Sequence, residues 1–213
     1  MRIATCRALA LMLLLAQTAH PAGARSLTTS AGPDWRSVAT RADRERLREW
    51  RTAFVDGLVQ ARSGGHAAEI AREGRLLEPD AGIAGSRPPQ GDYRCRVIKL
   101  GSKGKAGLPF VAYPDFACRI DDEGGIASFR KMTGSQRPVG VILGDGQRVV
   151  FLGTLVLGDE QRAIEYGRDA DRDMIGAVQS IGDRRWRMIL PYPHYESVMD
   201  VIELVPADST PRS

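Results

Sequence analysis

The sequence predicts an α+β fold, mainly β, in which two N-terminal helices pack on an antiparallel barrel-like sheet of about eight strands. Apolar residues recur at helical spacing only before Glu78, whereas from Gly91 onward short apolar segments alternate with glycine-containing turns. No helical pattern separates these segments. Because a parallel pair needs a crossover connection of a dozen or more residues, strands this closely spaced should pair antiparallel.

The first 24 residues have the pattern of a secretory signal peptide. Two arginines precede an apolar run at 8–16, which is much shorter than the ~20 residues of a membrane span. The small residues at 22–24 predict cleavage between Ala24 and Arg25. We therefore expect a periplasmic or secreted protein with no membrane span after signal removal, and a single N-terminal anchor helix is the alternative.

Length and charge limit the function classes that suit the mature chain. The residues after position 24 suit one domain that can bury a core without metals. Because the leader carries two arginines and no acid, the net charge falls from +4 to +2 on cleavage. Nucleic-acid binding requires a concentrated basic surface, so we predict no nucleic-acid partner.

Two cysteines remain after signal removal, and we predict a disulfide between Cys95 and Cys118. Disulfides persist in oxidising compartments, and Cα distances across an antiparallel pair suit the bridge. The closed loop of 23 residues would stabilise the fold by about 3 kcal/mol in the chain-entropy account. Two free thiols are the alternative.

The predicted helical part spans 34–78, after a flexible lead-in at 25–33. Asp34 caps a short helical turn, and Thr40 begins a longer helix that the glycine pair at 64–65 ends. One apolar stripe follows this longer helix, as expected for an element packed on a core. The stripe residues are Leu47, Trp50, Phe54, Leu58 and Ala61.

A second helix is predicted from about His66 to Leu77. It ends at Glu78 because the residue before a proline is disfavoured in helical conformation. Residues 79–90 carry several prolines and glycines and form a predicted linker. The β-rich part at 91–206 completes a single domain at 34–206, and 207–213 form a tail that we expect to fray.

Turn signals divide the β-rich part into about eight predicted strands. The clearest hairpin signal is at 144–147, where Gly-Asp-Gly-Gln lies between two apolar segments. We favour a barrel, since closure removes edge strands, and a β-sandwich is the alternative. The predicted strands are 92–100, 109–120, 126–133, 138–144, 148–157, 173–182, 185–191 and 197–205.

Aromatic and arginine residues suggest where a ligand could bind. Trp186, Met188 and Leu190 alternate with Arg187 and should therefore share one face of a strand. An aromatic wall with arginine at a barrel mouth suits an amphipathic or anionic ligand, although core packing would also explain Trp186. The candidate ligand-facing residues are Tyr93, Trp186, Arg187, Tyr192 and His194.

The sequence offers a weak pattern for hydrolysis. Ser197, His194 and Asp200 would supply the residue types of a hydrolytic triad. A Ser and a His three positions apart on one turn seldom reach the required geometry, and the sequence has no Gly-x-Ser-x-Gly elbow. We predict no catalytic residues, and an envelope hydrolase with a site near His194 is the alternative.

Metal and phosphate patterns are equally incomplete. Asp169, Asp171 and Asp173 alternate like the start of a calcium loop, but Met174 and Ser180 stand where that loop needs Gly and Glu. The Gly/Lys-rich segment at 101–107 lacks the spacing of a phosphate loop. We therefore predict no metal site and no cofactor.

Several segments recur together in a known group of proteins. They are 91–101 (with Tyr-Arg-Cys-Arg), 116–119, 136–140, 153–158, 166–169 and the stretch from Trp186 to Leu204. In these segments the chain resembles a family of small exported bacterial proteins, common in alphaproteobacteria, catalogued as a domain of unknown function. The resemblance runs from about Asp34 to Pro206 and implies an exported single domain, without supplying an activity, a ligand or a catalytic residue.

Three functional hypotheses follow from the sequence. The leading one is a non-catalytic periplasmic binding or interaction module, whose partner is an unknown small ligand or an envelope protein. The second is the envelope hydrolase near His194. The third is a structural partner in an envelope complex, which presents the arginine-rich face of the helix at 41–62.

Overall fold

The computed structural model describes residues 33–104 and 106–208. The predicted signal peptide, its cleavage between Ala24 and Arg25, nearly all of the lead-in and most of the tail lie outside the described residues. Those expectations remain predictions. The described chain contains a helical part followed by a β-rich part, in the order that the sequence predicts.

In the described residues, nine antiparallel strands form one sheet, and eight of them close into a barrel. Closure comes from pairing between β1 and β9, whereas β2 is an extra strand beside the end of β1. The predicted barrel is thus confirmed over the sandwich. The strands are β1 (Gly91–Leu100), β2 (Phe110–Ala112), β3 (Phe116–Glu123), β4 (Ile126–Lys131), β5 (Gln136–Gly144), β6 (Val149–Leu157), β7 (Asp173–Gly182), β8 (Arg185–Pro191) and β9 (Met199–Pro206).

The prediction of a single strand at 109–120 is wrong, because the chain forms two strands there. β2 pairs with the C-terminal end of β1 and β3 with its N-terminal half. Pro114, between them, has no N–H to donate to a ladder, and the last ladder bond before it runs from the Tyr113 amide to the Val97 carbonyl at 2.9 Å. The wall of the barrel is therefore interrupted beside Val97.

Within the residues that the structure describes, four α-helices and two 3-10 turns make up the helical part, where the sequence predicts two helices. Asp34 and Thr40 cap the first two helices as predicted, through bonds from the amides of Arg36 (3.0 Å) and Asp43 (3.2 Å). The helices are α1 (Trp35–Val38), α2 (Arg41–Arg48), α3 (Trp50–Ser63) and α4 (Ala67–Glu73), and the turns are Gly74–Leu77 and Pro79–Ala81.

The long predicted helix is interrupted at Glu49. This residue has φ −86° and ψ 10°, and its amide is shared between the carbonyls of Glu45 and Arg46. The bend lets α2 pack against β7 while α3 packs against β1, β8 and β9. Tertiary packing therefore overrides a local pattern that would suit one continuous helix.

Side chains alternate between the inside of the barrel and a layer beneath the helices. Phe129 and Phe151 meet edge to face in the interior, with ring centroids 5.7 Å apart. On the outer face, Phe54 and Leu58 of α3 pack against Leu100 of β1. The approach is close, since a Cβ added at Gly57 would lie 2.9 Å from the Leu100 Cβ.

Cys95 and Cys118 form the predicted disulfide inside the barrel, with Cα atoms 6.0 Å apart. The two residues are not directly opposite, since Cys118 pairs with Tyr93 and Cys95 with Phe116. Both cysteines are buried in the interior cluster. The bridge therefore joins β1 to β3 next to the interruption in the wall.

Candidate functional site

One end of the barrel is solid and the other is hollow. The change occurs at the paired residues Gly140 and Gly153. On one side of this pair Pro138 and Leu155 line a cavity, and on the other side Ile142 and Phe151 belong to the packed interior. Beyond this level lies a cavity of about 380 Å³, a size common for small-molecule sites. Its apolar lining includes Val97, Phe116, Pro138, Leu155, Met174 and Ile202.

Two lysines and a glutamine lie among the residues that line this cavity. Lys99 follows Tyr93, Cys95 and Val97 at every second position of β1, so its side chain faces inward and is only 6% exposed. Its Nζ atom lies 3.2 Å from Gln136 Oε1 and 2.8 Å from a carboxylate oxygen of Glu196.

Lys99 is balanced by acidic groups. Asp200, its register partner on β9, places a carboxylate oxygen 3.6 Å from Lys99 Nζ. Burial alone would lower the pKa of Lys99. The nearby carboxylates of Asp200 and Glu196 have the larger effect, so that the pKa of Lys99 is raised. Burial also raises the pKa of Asp200, against the opposing effects of Lys99 and Ser197. Lys99 and its acids therefore form a locally compensated group.

Lys131 is different, because it makes no ion pair with an acid of the described residues. Its ammonium donates to the Gln136 carbonyl at 2.9 Å and lies 4.3 Å from the centroid of the Phe116 ring. Burial, followed by the nearby charges of Lys99 and Arg137, lowers the pKa of Lys131. The hollow end thus contains a half-buried cation whose contacts are a carbonyl and an aromatic ring.

Paired arginines and His194 surround the mouth. Arg46 pairs with Asp43 and donates to the carbonyls of Tyr192 (3.1 Å) and Asp173 (2.9 Å). It therefore connects α2 to the start of β7 and to the residue that follows β8. Arg172, which also lines the cavity, pairs with Glu160 at 3.0 Å.

Of the five side chains predicted to face a ligand, the cavity lining includes His194. Its Nδ1 atom lies 3.6 Å from Asp171, and its pKa is lowered by burial and then by Arg46 and Lys103. Tyr93 and Trp186 point into the solid end, where their rings meet edge to face at 6.5 Å. They are part of the packed interior and do not line the cavity.

Arg187 and Tyr192 lie outside the barrel interior. Arg187 is fully buried beneath the helical part and donates to the carbonyls of Leu76 (3.0 Å), Glu78 (2.7 Å) and Pro79 (2.7 Å). Burial lowers its pKa to about 10. Tyr192 packs against the cluster between barrel and helices. The structure therefore gives Arg187 a hydrogen-bonding role beneath the helical part and gives Tyr192 a packing role.

The residues of the hydrolytic hypothesis do not form a catalytic arrangement. Ser197 is 2% exposed, and its hydroxyl donates to Asp200. His194 instead faces Asp171 at the rim. A triad needs the histidine within hydrogen-bond reach of the serine oxygen, and the hydrogen bonds of these described residues do not supply that link.

The aspartates of the incomplete calcium pattern serve the loop before β7. Asp173 accepts a bond from the Gly167 amide at 2.8 Å, and Asp169 accepts one from the Asp171 amide at 3.0 Å. In the part of the chain that the structure describes, no three His, Cys, Asp or Glu side chains are grouped to hold a metal ion.

The arginine-rich helical face of the third hypothesis is largely paired within the chain. Arg41 pairs with Glu45, and Arg51 forms two bonds to Asp80, at 2.9 and 2.7 Å. Arg44 donates to the Ala39 carbonyl at 2.6 Å. Fewer arginines on this face are therefore available to a partner protein than the sequence indicates.

Sequence reasoning missed the two lysines of the cavity. Lysine is rarely buried, so a lysine near the end of a predicted strand is ordinarily interpreted as solvent-facing. A usable signal was nevertheless present. Lys99 shares the position parity of Tyr93 and Cys95, and Lys131 shares that of Ala127 and Phe129, so each belongs to the inward-facing set.

The family model described as a domain of unknown function, DUF4893, matches residues 35–204 of the chain. The chain belongs to this family. Every residue that lines the cavity, from Arg46 to Ile202, lies within the DUF4893 region. Comparisons with curated proteins and with solved structures found no match.

No helix in the described part of this DUF4893 protein is long and apolar enough to cross a membrane.

Proposed function

We propose that this protein is an exported, non-catalytic binding module that holds a small amphipathic ligand in the hollow end of its barrel. The observation that carries the proposal is the cavity of about 380 Å³, with apolar walls and a few convergent polar groups. Small-molecule sites typically combine these features, because apolar burial supplies affinity and polar groups fix orientation.

The chemistry of the site supports binding over catalysis. The Ser197 hydroxyl donates a hydrogen bond to Asp200, and Asp200 also lies next to Lys99. A nucleophile needs an adjacent base and access to substrate, whereas Ser197 is buried. The polar groups at the hollow end are therefore better suited to orienting a ligand than to breaking one of its bonds.

Ligand binding can be tested with a neutral apolar fluorophore, N-phenyl-1-naphthylamine. We expect saturable binding to one site per chain. Met174→Trp, which enlarges a side chain that lines the cavity, should weaken that binding about tenfold, or ~1.4 kcal/mol. Val59→Trp on an exposed part of α3 is the matched control and should bind like the wild type. Absence of saturable binding, or equal loss in both variants, would refute the proposal.

Export is a separate part of the proposal. The signal-like segment at 1–24 and a buried disulfide support it, since disulfides persist in oxidising compartments. Expression of the full chain in a Gram-negative host, followed by N-terminal sequencing of the periplasmic fraction, should give a chain that starts at Arg25. A protein confined to the cytoplasm with an intact first residue would contradict export.

A further inference from the structure

We infer that the ligand is an amphiphile with a carboxylate head group, which binds the ammonium of Lys131 while its apolar body fills the hollow end. This inference rests on the proposed function and names the ligand class. Its basis is the difference between Lys131 and the other cations that line the cavity.

The other cations already have acidic partners. Lys99 contacts Glu196 at 2.8 Å and Asp200 at 3.6 Å. Arg46 pairs with Asp43, and Arg172 pairs with Glu160. Lys131 is the cavity cation that makes no ion pair with the described residues, so it is the one that an anionic ligand would neutralise.

The surroundings of Lys131 favour an added anion. An ammonium has three N–H donors, and one of them bonds to the Gln136 carbonyl at 2.9 Å. The Phe116 ring contributes a cation–π contact at 4.3 Å. A half-buried charge without a counter-ion is unfavourable, and a carboxylate oxygen would supply a charge-assisted hydrogen bond, about twice as strong as a neutral one.

The site discriminates against other head groups. A cationic head would be repelled by Lys131 and by the neighbouring Lys99 and Arg137. The acids that line the cavity are engaged, since Asp200 accepts from Ser197 and Glu196 pairs with Lys99. Asp115 pairs with Arg94, Asp173 accepts from the Gly167 amide, and Asp171 lies 3.6 Å from His194 Nδ1. A neutral alcohol would fill the apolar walls but would leave the charge of Lys131 uncompensated.

The apolar walls lie beside this ammonium. Phe116 lines the cavity, and the ammonium of Lys131 lies over the face of its ring. Val97, Leu155 and Ile202 line the same cavity. A ligand bonded to Lys131 can therefore place its hydrocarbon against these side chains, and each buried CH₂ would contribute about 0.8 kcal/mol.

Three probes whose alkyl tails differ by at most one carbon separate the effect of the head group from that of the tail. Octanoate, 1-octanol and octyltrimethylammonium are titrated against protein preloaded with N-phenyl-1-naphthylamine. We expect octanoate to displace the fluorophore at a concentration about tenfold lower than 1-octanol, a difference of ~1.4 kcal/mol. Octyltrimethylammonium should be the weakest competitor, and added salt should weaken octanoate most.

Variants then assign the preference to one residue. Lys131→Met keeps the apolar stem and should remove the advantage of octanoate over 1-octanol, whereas Lys131→Arg should retain it. Arg148→Met removes one positive charge from the exposed hairpin at the solid end and should leave the preference unchanged. Far-UV circular dichroism and urea midpoints confirm that each variant is folded.

The outcomes separate the inference from the proposed function. If the fluorophore binds but octanoate competes no better than 1-octanol, the carboxylate assignment is overturned while the binding module stands. An octanoate preference that survives Lys131→Met, or that Arg148→Met also removes, overturns the assignment as well. If neither the fluorophore nor any probe binds, the proposed function and the carboxylate assignment are both overturned.

Discussion

The Nη1 atom of Arg187 lies 2.7 Å from the carbonyl oxygen of Glu78. Through this bond a strand side chain holds the segment that joins the helical part to the barrel. The same guanidinium bonds the carbonyls of Leu76 and Pro79. Carbonyls at the ends of short helical turns lack hydrogen-bond donors within the turn. The guanidinium of Arg187 provides these donors in a region that is closed to water.

Arg187→Met should lower the free energy of unfolding by about 3 kcal/mol, because it leaves several buried carbonyls unpaired. Arg187→Lys should be nearly as destabilising, since an ammonium lacks the planar fork of donors. Urea denaturation followed by tryptophan fluorescence measures the change. Arg184→Met, at an exposed ion pair with Asp208, is the control and should change stability little. A stability of Arg187→Met equal to that of the control would show that the bonds are dispensable.

Removal of the disulfide by Cys95→Ala with Cys118→Ala should lower the free energy of unfolding by about 3 kcal/mol. The reason is that the unfolded chain regains the freedom of a loop spanning 23 positions. Chemical denaturation with and without dithiothreitol measures the effect. Reductant should bring the wild type to the stability of the double variant and should leave the double variant unchanged. A wild type that is insensitive to complete reduction would contradict this expectation.

Tyr93 should make stability fall at alkaline pH. Its hydroxyl donates to the Pro89 carbonyl at 2.6 Å, and burial raises its pKa to about 12. A phenol in the unfolded chain loses its proton near pH 10. The contribution of Tyr93 is therefore complete below about pH 10 and is lost as the pH rises toward 12, by up to about 1.4 kcal/mol per pH unit.

Unfolding free energies of the wild type and Tyr93→Phe between pH 9 and 12 check this dependence. The phenylalanine variant has no proton to lose at this position, so the difference between the two proteins should change with pH. Parallel profiles for the wild type and Tyr93→Phe would refute the assignment.

Gly57→Ala should destabilise the protein by about 1–3 kcal/mol, although alanine favours a helix by about 1 kcal/mol over glycine. The added Cβ would lie 2.9 Å from the Leu100 Cβ and 3.1 Å from the Leu100 carbonyl oxygen. Helix α3 would then have to move away from β1. Thr52→Ala, on an exposed face of the same helix, controls for propensity. Thermal denaturation that shows a rise in stability for Gly57→Ala would mean that the contact relaxes easily.

The barrel could be predicted from the sequence because strand alternation is a local pattern. Trp186, Met188 and Leu190 face the interior as their spacing of two requires. The hairpin at 144–147 connects β5 and β6 as its glycines indicate. The disulfide pair was predictable from the cysteine content and the neighbouring strands.

The break in the long helix and the break between β2 and β3 were harder to predict, because they depend on contacts with residues distant in sequence. The bend at Glu49 serves the packing of α2 and α3 on different strands. The break at Pro114 separates two pairings of one strand, β1. The candidate site was missed for a related reason. A lysine becomes a cavity cation only through barrel closure, as for Lys131, and closure is a property of the whole sheet.

The glycine level at Gly140 and Gly153 divides the barrel into two zones with different tolerance to change. A smaller side chain in the zone of Phe129 and Phe151 would leave a void among packed atoms, which is destabilising. A smaller side chain at Leu155 or Met174 would only enlarge a space that already exists. Substitutions can therefore change the shape of the cavity at one end of the barrel while the packed residues at the opposite end preserve the fold.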